Sequence, residues 1–147
     1  TQHVDMAYKG LRTPGNLNEY TVLEIEHILP NTPEKDLRDD FTRRNPQADY
    51  DAYKVKLGNL TLLEKPINIV ASNNFFALKK VEYAKCKYYL TSSIAGLTSV
   101  GKNSSITRIN ERLLAFSEWL AADIDKRQTM LIDLAHDVWK ITEIKTV

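Results

Sequence analysis

Two short apolar runs rich in strand formers, Thr21 to Leu29 and Leu57 to Leu63, limit this chain to a very small sheet. In the first run Val22, Glu24 and Glu26 alternate with Leu23, Ile25 and His27, the period of a strand with two different faces. Pro30 ends it, because proline has no N–H to give to a ladder. The second run is bounded by Gly58 and Pro66. A two-stranded sheet buries too little to be stable alone, so helices must supply the rest of the core. The expected fold class is α+β: a small two-stranded sheet in a chain that is mostly helical elsewhere.

The helical signals lie between and after these runs. Thr32 is a good N-cap and Pro33 suits a first helical position, which predicts a short polar helix to about Arg44, broken by Asn45-Pro46. Residues 45–56 read as a solvated connection with Tyr50 and Tyr53 packed beneath it. Pro66 opens a short helical turn carrying Asn68. Ser72, Asn73 or Asn74 can cap a further helix to about Tyr89. Residues 91–105, rich in Ser, Thr and Gly, read as a linker. From Ile106 the apolar residues Ile109, Leu113, Phe116, Leu120, Ile124, Leu131, Leu134, Val138 and Ile141 recur at helical spacing. They predict one long helix, or two parted near Lys126–Thr129.

Composition excludes several classes. No apolar run approaches the ~20 residues needed to span a bilayer. The single cysteine, Cys86, can supply neither an internal disulfide nor the paired thiolates of a structural zinc site. That fits a cytoplasmic location. A formal charge of +1 argues against a free-standing, strongly basic DNA binder. It leaves room for a cutting domain that borrows affinity from a partner.

Four groups carry chemistry: Glu26-His27 at the end of the first strand, Asn59 at the start of the second, Asn68 after it, and Lys79 in the next helix. Phosphodiester hydrolysis needs a base for water, a positive charge for the phosphate and leaving oxygen, and a group that holds the base. Histidine titrates near neutrality and suits the first task. Carboxylate and amide oxygens suit Mg²⁺.

The string Glu26-His27-Ile28-Leu29-Pro30 resembles the first motif of HNH-type (His-Me finger) nucleases, and Gly58-Asn59-Leu60-Thr61-Leu62-Leu63 resembles the second. Asn68 follows Asn59 by nine positions, a gap those nucleases also use. The closer resemblance is to the C-terminal nuclease domain of GmrSD-type restriction proteins, which carry an HxxP motif. It covers Leu57 to Lys80 nearly end to end, with Ser72-Asn73, Phe76 and Lys79, and the tail residues Trp119, Ile124, Arg127, Leu131, Ala135 and Trp139. In two places the chain departs from the pattern: Cys86 stands where many relatives have serine, and Glu26 where other HNH branches have aspartate.

The resemblance implies a ββα-metal core around one divalent ion, Mg²⁺ or, as an alternative, Mn²⁺. His27 is then the general base and Asn59 the residue that orients it, with Glu26 and Asn68 as metal ligands. Strict strand alternation sends Glu26 and His27 to opposite faces, so both can serve one ion only if the strand ends or bends there. The implied activity is that of a DNA endonuclease or nickase in a modification-dependent, antiphage restriction system. The implied partners are DNA, in particular modified phage DNA, and an upstream or separate ParB-like nucleotidase domain. The chain then divides into a connecting segment (1–18), the nuclease core (19–90) and a linker with a helical part of the same domain (91–147). Lys65 to Lys87 holds five lysines and one acid, and forms the candidate DNA-facing surface through Lys79, Lys80 and Lys85, with Asn73 nearby.

Each residue also has a plainer role. His27 can be structural, Asn59 can stabilise a turn, Asn68 and Asn73 can start helices, Glu26 can be a solvated carboxylate, and Lys79 can lie on a solvated face. Arg127 reads as structural, Trp119 and Trp139 as core anchors, and His3 and His136 as incidental. The alternative function is a non-catalytic DNA-binding or regulatory module that keeps the nuclease fold. A third reading is a helical assembly domain built on the 106–141 stripe.

Overall fold

The computed structural model describes residues 23–96 and 112–139. Ile106, Ile109, Ile141, His3, the 1–18 segment and the start of the first run lie outside them. The fold is α+β, with strand β1 (Leu23–His27) antiparallel to β2 (Leu60–Glu64). The register sets Glu26 opposite Thr61 and His27 opposite Leu60. With this strand pair go α1 (Lys35–Arg44), α2 (Tyr50–Lys54), α3 (Lys65–Ala71), α4 (Phe76–Tyr83), α5 (Tyr89–Ser92) and α6 (Ala121–Trp139). Ile28, Leu63, Tyr83, Tyr88, Ile94, Trp119 and Ile124 share one buried core. Among the described residues no helix is long and apolar enough to cross a membrane.

The departures from expectation have local causes. The second run does not begin as a strand: Leu57–Asn59 is a turn of 3-10 helix. Here the carbonyls of Gly58 and Leu60 each accept a bond from Arg127 Nη1 at 2.8 Å. The 45–56 connection contains α2, because Asp49 caps it by accepting from the Ala52 N–H at 2.8 Å. Tyr50 is buried beneath it and donates from its hydroxyl to the Pro30 carbonyl at 2.7 Å. Helix α1 starts two residues later than Pro33 suggested, with Glu34 before it and no side-chain cap.

Two corrections concern the C-terminal half. The linker reading of 91–105 fails for its first four residues: Thr91, Ser92, Ser93 and Ile94 are buried. Small hydroxyl side chains can be buried once bonded, and Thr91 Oγ1 donates to the Leu62 carbonyl at 2.8 Å. Leu113, Phe116 and Trp119 are also buried, yet in non-helical chain before α6. The helix begins at Ala121, where Asp123 Oδ2 accepts from the Leu120 N–H at 2.9 Å and Asn45 Oδ1 accepts from the Ala121 N–H at 3.0 Å. It then runs unbroken through 126–129.

Helix α6 lies directly against the 3-10 turn, and Gly58 makes this approach feasible. A Cβ at Gly58 would sit 2.1 Å from the Ile124 carbonyl oxygen. Both sides are backbone, so α6 would have to withdraw and loosen the Arg127 bonds. Gly58→Ala is therefore expected to cost about 3 kcal/mol, the upper end for overpacking. A urea midpoint equal to wild type would contradict that.

Candidate nuclease site

His27 is the last residue of β1, half-buried, where the ladder gives way to the Ile28-Leu29-Pro30 segment. Asn59 holds that segment. Its Oδ1 accepts from the Leu29 N–H at 2.6 Å and from Trp119 Nε1 at 2.9 Å. Its Nδ2 donates to the Leu29 carbonyl at 2.9 Å and the Lys54 carbonyl at 2.8 Å. The Asn59 backbone carbonyl also accepts from the Ile28 N–H at 3.0 Å. An amide has two donors and one doubly accepting oxygen, so this side chain is saturated. The expectation that Asn59 orients the imidazole is corrected: it clamps the backbone just beyond His27.

Glu26 and His27 are successive residues of β1, the first buried and the second half-buried. Glu26 is buried, and its Oε1 accepts from Lys79 Nζ at 2.6 Å and from the Tyr83 hydroxyl at 2.7 Å. The same ammonium donates to the His27 carbonyl at 2.7 Å. The Lys79 side chain is 1% exposed, so it cannot face DNA as expected. A signal for this lay in the sequence: Phe76, Lys79 and Tyr83 share one helical face, which puts the lysine on the apolar stripe of α4.

The electrostatics follow from burial. Desolvation is the largest influence on His27 and lowers its pKa; Glu26 opposes this, while Lys79 and Lys54 add to it. Burial also lowers Lys79, against the pull of Glu26. Tyr83 is pushed well above its usual value, first by burial and then by Glu26. Arg127 is fully buried, which lowers its guanidinium to about 10. It has the structural role expected, tying α6 to the start of β2.

The remaining expected site residues are dispersed. Asn68, on α3, donates from Nδ2 to Glu24 Oε2 at 2.8 Å. Glu24 also lies 3.7 Å from the exposed Lys65 ammonium. Asn73 donates to Thr32 Oγ1 at 3.1 Å. Lys80 is half-buried, and Lys85 is exposed but paired with Glu82 at 2.5 Å. A cleft of about 190 Å³ beside the His27–Pro30 segment is lined by Ile28, Leu29, Pro30, Phe41, Phe76 and Trp119, among others, and His27 is not in its wall. Arg44 in that wall is engaged by Glu118 and Asp40, which leaves a phosphate little to bind.

The donor set does not fit the ion expected between Glu26 and Asn68. The Glu26 charge is already met by a buried ammonium, and Asn68 is turned to Glu24. Among the described residues no three His, Cys, Asp or Glu side chains gather as a metal site. Glu24, Tyr83 and the Trp119 indole N–H are the partners that sequence reasoning missed.

The sequence profile of the C-terminal domain of GmrSD restriction endonucleases matches residues 4–134. No curated protein and no solved structure matches the chain. The matched span holds every residue of the His27–Asn59 arrangement and most of α6, and the chain belongs to the family of GmrSD restriction endonuclease C-terminal domains, a restriction-endonuclease-related nuclease module.

Proposed function

We propose that this domain hydrolyses phosphodiester bonds in DNA, with His27 as the general base that takes a proton from the attacking water. The observation that carries the reading is the state and position of His27. Its imidazole is partly open to solvent, biased toward the neutral form, and fixed at the end of a strand whose continuation is clamped by Asn59. A base needs its lone pair free at working pH. The lowered pKa leaves His27 unprotonated at neutrality and moves its loss of function to more acidic conditions. The HNH-type chemistry and the role in restricting modified phage DNA beside a ParB-like nucleotidase partner belong to the same proposal, supported by family membership.

A supercoiled-plasmid assay tests it, run with Mg²⁺, Mn²⁺ or EDTA because the resemblance implies one divalent ion. The chain is assayed alone and with a ParB-like nucleotidase partner, on modified and unmodified DNA. Open-circular or linear product is expected, and its kcat/KM should hold to below the ordinary histidine value of ~6.5 before falling with acid. An acidic limb above that value would count against His27 as the base.

A second reading, a DNA-binding module that keeps the fold without cutting, draws on the engagement of Glu26 by Lys79. It predicts salt-sensitive binding with no strand breaks under any of these conditions.

A further inference from the structure

We propose that Lys79 is a positioning residue for His27: one buried ammonium bridges the Glu26 carboxylate and the His27 carbonyl, and so fixes the strand end from which the imidazole projects. The inference rests on the reading of His27 as the base.

The geometry gives this ammonium two partners at once, Glu26 Oε1 at 2.6 Å and the His27 carbonyl at 2.7 Å. Tyr83 adds a second donor to the same carboxylate oxygen. The four residues come from β1 (Glu26, His27) and α4 (Lys79, Tyr83), with bonds across 52 and 57 positions, so the network ties the helix to the strand end. A buried charge is retained only when paired and bonded, and Glu26 supplies that pairing. The carbonyl bond is additional to charge balance. It falls at the residue where β1 ends.

The arrangement also makes Lys79 and Glu26 opposed neighbours of the ring: Lys79 lowers the His27 pKa and Glu26 raises it, with Lys54 of α2 the other charge acting on it. Removing each charge alone must therefore move the imidazole in opposite directions. These shifts report the two charges beside the ring, and the carbonyl tether is read separately in kcat.

The test compares Lys79→Met, Glu26→Gln and the double variant by NMR titration of the His27 ring in EDTA, without DNA, and by steady-state cutting. Lys79→Met should raise the His27 pKa, and Glu26→Gln should lower it. The double variant, which contains no uncompensated charge at this place, should return close to wild type. In cutting, the double variant should lose about tenfold or more in kcat, since its carbonyl tether is gone, with KM for DNA within about twofold.

Circular dichroism first establishes which variants fold, and the double variant carries the kinetic test if a single variant does not. A raised KM with unchanged kcat would make Lys79 a DNA contact and overturn the proposal. So would His27 titrations that fail to move, or that move together. If the wild-type chain cuts nothing, the hydrolase reading falls; the ring titrations still decide whether Lys79 and Glu26 govern His27.

Discussion

His27→Ala is expected to lower plasmid cutting by about 10²–10⁴-fold, the usual worth of a positioned general base, while the thermal midpoint stays close to wild type. Both halves of the expectation come from the structure. The imidazole is half-buried, and among the described residues it makes no hydrogen bond, so the fold loses little with it. The Lys79 bond goes to the backbone carbonyl, which alanine keeps. The measurement is a pair: initial rates on supercoiled DNA, and a melt followed by circular dichroism. Cutting at the wild-type rate would remove His27 from the mechanism. Loss of cutting together with loss of fold would return it to a structural role.

Asn59→Ala is expected to show the opposite pattern, a loss of stability large enough to threaten folding. The side chain is fully buried and serves four partners: the Leu29 N–H, the Leu29 carbonyl, the Lys54 carbonyl and the Trp119 indole N–H. Alanine strands all four. Each buried group left without a partner costs ~1–3 kcal/mol. The Lys54 carbonyl is only partly buried, and even the low end for the other three comes to about 3 kcal/mol, against a total of ~5–15 kcal/mol for a domain. Asn59→Asp should not rescue it, because it presents an oxygen where two carbonyls need a donor. Urea denaturation with tryptophan fluorescence reads the loss directly, since Trp119 is one of the partners. A stable Asn59→Ala protein with a selective loss of cutting would restore the view that Asn59 acts on the imidazole.

The contrast between these two residues shows what was legible in the sequence. The two strands and their order followed from short apolar runs and prolines, whereas the His27–Asn59–Asn68 series rested on the resemblance, and the fold turns Asn68 to Glu24. The partners were not legible. Asn59 could have bonded an imidazole or a backbone, and only the fold brings Trp119, sixty positions away, to its oxygen. Lys79 counted as positive charge in a basic segment, although its place on the apolar face of α4 argued for burial. Periodicity misled from Leu113 to Leu120, where apolar spacing matched a helix but Asn45 and Asp123 start the helix only at Ala121. Ser and Thr at 91–93 looked like linker because composition does not reveal which hydroxyls will find a carbonyl.

The reach of Arg127 across 69 positions to the Gly58 carbonyl has a consequence for how the protein is made. A ribosome delivers the His27 strand before the second strand. The residues that fasten the junction, Trp119 and Arg127, come after both strands in the chain. Until then the Asn59 oxygen lacks its indole donor and the first carbonyls of the second strand lack their guanidinium. Domains fold as units once their sequence is available, so a nascent chain displays the histidine without the frame that holds it. The junction between the two strands is therefore complete only once α6 has docked against the 3-10 turn.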